Sequence, residues 1–149
     1  FSAQEFSCVL GLQFGGQYVH TKLKPPSRTL ARYFDGKIGN VKRNNIVATM
    51  KSVVGTRDAE QDFARLYVLF VFNCLLFPEG NQLTPGYVCH YVDDLQKIYL
   101  YAWGDAAFQF LAQSMRAYKL GESQKQVNGC TFGLIVSLFF YVDTFSYYG

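Results

Sequence analysis

Leu66 to Phe77 reads LYVLFVFNCLLF, twelve residues with a single Asn among apolar side chains and Pro78 directly after them. This run limits the fold more than any other part of the chain. It falls well short of the ~20 apolar residues that cross a bilayer, and Pro78 has no N–H with which to carry a helix onward. The expectation is a helix buried on most of its sides. Asp58 serves as its N-cap, and Phe63, Leu66, Tyr67, Phe70, Asn73, Cys74 and Phe77 recur at helical spacing.

Helix signals flank that segment on both sides. Ser2-Ala-Gln-Glu5 has capping-box spacing before an apolar turn, and Gly11 closes that turn or the next. Lys24-Pro25-Pro26-Ser27 is a stop followed by an N-cap, with Leu30, Tyr33 and Phe34 recurring before Gly36. Asn44 or Asn45 starts a third helix that runs to Gly55. After the loop PEGNQLTPG, Thr84-Pro85 is an N-cap and N1 proline for a helix through Val88, Val92 and Leu95. Asp105 caps an amphipathic helix with Phe108, Leu111, Ala112 and Met115 on one face, which ends before Gly121. A last helix follows the polar loop GESQKQVNG. Strict apolar–polar alternation is scarce, so the fold class expected is all-α, a compact single-domain bundle of six or seven helices. Half of the 149 residues are hydrophobic and 17% are charged, which suits one sizeable core. The chain opens on Phe1 and closes on FSYYG, and the expectation is a fragment of a longer protein with the C-terminal part of the domain missing.

Residues 91–94, YVDD, raise the question of a polymerase metal site. Such a site needs an aspartate pair at a hairpin turn and a further carboxylate on a neighbouring strand, because two metal ions must be gripped at a phosphoryl-transfer centre. The other acids do not lie in strand-like settings. Asp58, Glu60 and Asp62 crowd a helix start, where negative charge favours the macrodipole. On a helix, Asp93 and Asp94 point about 100° apart and form no single clamp. They read as a solvated face, with Asp93 and Lys97 in the favourable acid-before-base order for a surface pair. No catalytic residue is assigned, and a metal-dependent nucleotidyl transferase at YVDD ranks last among the readings.

Cys8, Cys74, Cys89 and Cys130 include no CxxC pair, and only His20 and His90 add soft ligands, so no metal site is expected. Cysteines in apolar runs act as small hydrophobes in a reducing, intracellular setting. Gln126 to Val142 is uncharged but carries Asn128, Gly129, Thr131, Gly133 and Ser137, which favours a core helix over a membrane span. Trp103 beside Gly104 reads as a plug between two helices. Tyr99, Tyr101, Tyr118, Tyr141, Tyr147 and Tyr148 are too many to bury together, and part of them is expected on a partner surface.

Charge is uneven along the chain. Residues 1–57 hold nine Lys/Arg against two acids, and the remainder holds five against nine. Arg28, Arg32, Lys37, Lys42, Arg43 and Lys51 are the candidate nucleic-acid contacts, on two short helices whose basic turn loosely suits a helix-turn-helix but is longer than that motif's usual link.

From Arg65 to Val136 the chain resembles the plant mobile domain, also called the aminotransferase-like plant domain, which transposable elements spread through plant genomes. The shared features are the apolar helix ending in LLFP, the helix at Val92–Ile98, the step YAWGDAAFQFL, and NGC before an apolar helix. Pro78, Asp94, Trp103, Gly104 and Gly129 carry that pattern. EFSCVLGLQFGG resembles the family's opening helix. The chain is also similar to a sister group of transposon-encoded plant domains found upstream of cysteine proteases. The resemblance implies a nuclear, non-enzymatic domain that works through protein partners, with relatives linked to transposon silencing and genome maintenance. Pyridoxal phosphate chemistry, despite the family name, needs a Schiff-base lysine and a phosphate cradle that cannot be assigned here, so no cofactor is expected.

Overall fold

A computed structural model describes residues 1–22, 26–122 and 126–147. Seven α-helices account for most of them, and the described residues include no β-strand, only two isolated bridges. The fold is all-α. The chain divides into two compact units, one of residues 1–19 with 100–149 and one of residues 20–99.

The first unit holds α1 (Ala3–Val9), α6 (Trp103–Lys119) and α7 (Thr131–Tyr147). Ser2 caps α1 in a reciprocal capping box with Glu5, as its spacing predicts. Phe6 is fully buried and meets Phe1 and Phe108 edge-on at 6.0 and 5.7 Å. Glycines let α1 lie close to its neighbours: a Cβ on Gly104 would collide with the Ser7 side chain, and one on Gly133 would come within 2.7 Å of the Phe6 ring. Gln17 ties the two chain segments together, donating to the Leu100 carbonyl at 2.7 Å and accepting from the Ala102 amide at 2.9 Å.

The second unit holds α2 (Arg28–Phe34), α3 (Arg43–Val53), α4 (Ala59–Val71) and α5 (Gly86–Val92). Here α3 packs on α4, while α2 packs on α5. The basic pair α2 and α3 is therefore not a helix-turn-helix; eight residues, including a 3₁₀ turn at Ile38–Asn40, separate helices whose main partners differ. The core gathers Phe34, Val41, Ile46, Leu66, Leu69, Leu76, Phe77, Val88 and Val92.

Several boundaries depart from the sequence reading. Ser27 caps α2 as expected, its Oγ accepting from the Leu30 amide; Lys24 and Pro25 of the preceding stop lie outside the described residues. Lys42 rather than Asn44 or Asn45 precedes α3. Asp58 stands at the N-cap of α4 in the left-handed region (φ 62°) and makes no side-chain cap. Pro85 rather than Thr84 precedes α5, because the Thr84 hydroxyl accepts a hydrogen bond from Asn73 instead. That helix stops at Val92 and does not reach Leu95. Likewise α6 begins at Trp103, with Asp105 inside its first turn, and Met115, expected on the core face, is exposed.

The buried face of α4 is also displaced from the one that periodicity suggests. Phe63 and Tyr67 stack on each other on the exposed side at 6.4 Å, while Asp62, Leu66 and Leu69 face inward. A π turn at Phe72–Leu76 then adds a residue to the helical repeat, so that Phe72, Asn73, Leu76 and Phe77 are all buried.

Candidate functional site

The second unit concentrates its polar chemistry around α2. Asp93, at the end of α5, accepts from the Arg28 amide (2.8 Å), the Thr29 amide (2.8 Å), the Thr29 hydroxyl (2.6 Å) and the Ser27 hydroxyl (3.2 Å). It is an anion built into the start of α2, where unpaired amides and the helix dipole favour negative charge. The solvated-face reading of Asp93 is thus corrected, and Lys97 pairs with Asp94 (3.2 Å), not with Asp93. The hairpin that a polymerase site requires is absent, since residues 86–92 are helical.

Asp62 is a buried acid. Its carboxylate receives Arg32 at 2.8 Å and Arg65 at 3.4 Å, which explains how a charge tolerates near-complete burial. Sequence reasoning placed Asp62 at a helix start and missed it as a buried partner, because Arg32 lies 30 residues upstream. Tyr33 stands beside this pair. Its hydroxyl is shielded from solvent without a partner in hydrogen-bonding geometry, and burial, then the Asp62 carboxylate, push its pKa up to about 12. Arg28, Thr29, Arg32, Tyr33, Arg65 and Asp93 line a half-open pocket of about 130 Å³.

The remaining candidate contacts do not converge with Arg28 and Arg32. Lys37 precedes the 3₁₀ turn and Lys51 lies in the last turn of α3. Lys42 is exposed at the start of α3. Arg43 is partly buried and donates its Nε to Asn73 Oδ1 at 3.0 Å. Asn73, fully buried, in turn donates to the Gln82 carbonyl and the Thr84 hydroxyl, both at 2.9 Å, so Arg43 belongs to a clamp holding the loop before α5.

The residues that carry the resemblance noted in the sequence have structural roles. Pro78 follows the π turn, and Asp94 holds the surface pair with Lys97. Trp103 is buried and tilted against Tyr101, and Gly104 backs onto Ser7. Gly129 has φ 107°, with Leu111 where a Cβ would be. Tyr99 and Tyr118 are exposed and Tyr101 half-buried; the side chains of Tyr141, Tyr147 and Tyr148 lie outside the described residues.

The first unit presents a different surface. On α7, Phe132, Ile135, Leu138, Phe139 and Val142 are each more than half exposed. At 100° per residue they share one face about 120° wide. The opposite face turns Gly133 and Ser137 inward, so these five large apolar side chains point to solvent while two small residues face the core. Among the described residues no helix is long and apolar enough to cross a membrane, and no group of three His, Cys, Asp or Glu side chains is placed to hold a metal ion.

A family model described as "Domain of unknown function (DUF8566)" matches residues 1–135. The chain belongs to that family. The match takes in both units, the pocket around α2, and the start of α7 through Ile135. No curated protein and no solved structure matches this DUF8566 chain.

Proposed function

We propose that this DUF8566 domain is a non-enzymatic protein-interaction module acting in the nucleus, of the transposon-derived plant type that its sequence resembles. The exposed face of α7 carries the proposal. Phe132, Ile135, Phe139 and Val142 follow 3-4-3 spacing, the seam that receives another helix, and no charge interrupts it. Five large apolar side chains on one helix form a patch of the kind that marks a binding surface. The occupant that fits is the apolar face of a partner protein's helix.

An Ile135→Asp/Phe139→Asp variant keeps Gly133 and Ser137 and should fold as the parent does. It should lose the partners that the parent retains from plant nuclear extract, and light scattering should show whether a second copy is the occupant. Equal retention by parent and variant would refute the assignment to α7.

A nucleic-acid reading is favoured by one observation, the eleven Lys/Arg against seven acids in residues 20–99. Fluorescence anisotropy at two salt concentrations, with Lys42→Glu as the control, tests it; binding that weakens steeply with salt and is lost in the control would establish it.

A further inference from the structure

The pocket on α2 has more donors than acceptors. Arg28 and Arg32 stand one turn apart on the same helix face. Arg28's guanidinium has no ion-pair or hydrogen-bond partner among the described residues. Arg32 commits one nitrogen to Asp62, and its exposed fork keeps other N–H groups free. Tyr33 lines the same pocket, its hydroxyl shielded from water and turned toward the Asp62 carboxylate. On the acceptor side, Asp93 already takes four hydrogen bonds and Asp62 already binds two arginines. Three guanidinium groups therefore stand against two carboxylates that are already engaged, which leaves one positive charge in excess.

Size and shape select the ligand. At about 130 Å³ the pocket is less than half of the roughly 300 Å³ at which pockets for whole small molecules begin, so it admits a group of a few heavy atoms. Forked donors on neighbouring turns match a tetrahedral oxyanion, which takes two guanidinium groups at once. A nucleic-acid backbone fits less well. Its phosphates are singly charged and spread along a line, whereas Arg28 and Arg32 line one small pocket beside Asp93.

We propose that this pocket is an oxyanion site for one phosphate monoester, gripped by Arg28 and Arg32. A free phosphate and a phosphorylated side chain share this chemistry, and the site is independent of the α7 face.

The test is titration of the whole chain, at constant ionic strength, with inorganic phosphate, with O-phosphoserine and with a short DNA duplex, followed by NMR shifts and by the melting temperature. Saturable phosphate binding is expected, weakened on the order of tenfold or more in Arg28→Gln, which breaks no native contact. Tighter binding of phosphoserine than of phosphate would identify a phosphorylated side chain as the source, and the reverse order a free anion. No saturation by about 10 mM phosphate would overturn the site. So would binding that Arg28→Gln leaves unchanged, or a preference for the duplex with a salt dependence of several phosphates.

Discussion

Asp93 and Asp94 are neighbours of identical chemistry, and the structure assigns them very different weights. Asp93→Ala removes the acceptor for four donors. The exposed Arg28 amide regains water, and Ser27 keeps its bond to the Cys89 carbonyl at 3.0 Å. The Thr29 amide and hydroxyl, on a residue 2% exposed, are left without a partner. Each buried donor left unsatisfied costs about 1–3 kcal/mol, so with two stranded Asp93→Ala should cost about 2–6 kcal/mol. Asp93→Asn retains one acceptor oxygen and loses the charge, and should cost about 1–2 kcal/mol, the range of an N-terminal cap. Asp94→Asn breaks only an exposed pair with Lys97 and should cost less than about 1 kcal/mol. Urea unfolding of the three variants separates the cases, with the slope checked for constancy. If Asp93→Ala lies within about 0.5 kcal/mol of the parent, or Asp94→Asn costs as much as Asp93→Ala, the capping argument is wrong.

Asn73→Leu strands Arg43 Nε and removes the donor to Gln82 and Thr84 in a fully buried setting; a loss of about 2–4 kcal/mol is expected in urea unfolding, and a loss below about 1 kcal/mol would show that the π turn does not depend on this clamp. Thiol labelling at pH 8 should modify the exposed Cys8 at once and Cys89 only after denaturation, since burial first and Asp93 second push the Cys89 thiol up to about 12; fast native-state labelling at Cys89 would contradict its packing. Burial also raises the Glu79 carboxyl above its ordinary 4.5, against a hydrogen bond with Asn81 that lowers it. The folded chain therefore holds that proton more tightly than the unfolded one, and the stability this contributes is full below about pH 4.5 and lost as pH rises through the folded value. Glu79→Gln should accordingly gain stability relative to the parent between pH 4 and pH 7 in urea midpoints, and a relative loss would reverse the assignment.

What was legible in the sequence is what short-range chemistry decides. The Ser2–Glu5 box and the Ser27 cap reach three residues along the chain, and both appear where spacing places them. The stop at Pro78 and the all-α class follow from equally local signals. The inward face of α4 was not legible, because two distant facts set it: Arg32 permits Asp62 to be buried, and the π turn shifts the register so that Asn73 meets Arg43 and Thr84. Asp93 is the same case at longer range. Its donors lie 64 to 66 residues upstream, so no window around YVDD contains them.

Chain-order charge is similarly rearranged by folding. The first 57 residues look strongly basic, and nine of the eleven Lys/Arg of residues 20–99 come from that stretch, yet folding brings Asp62 of α4 and Asp93 at the end of α5 against the helix of Arg28 and Arg32. Much of the apparent excess is thus neutralised where it matters, by two acids that sequence order places outside it. The remainder is not spread over a face. Lys37, Lys42 and Lys51 stand on separate turns, Arg43 is committed to Asn73, and the Arg28 guanidinium, which lines a small pocket, has no ion-pair partner among the described residues. A localised single charge with forked geometry selects a compact anion, whereas a long polyanion gains only from a row of charges. The arrangement of these residues in space, and not their number along the chain, is what favours a phosphate monoester over a nucleic-acid backbone at α2.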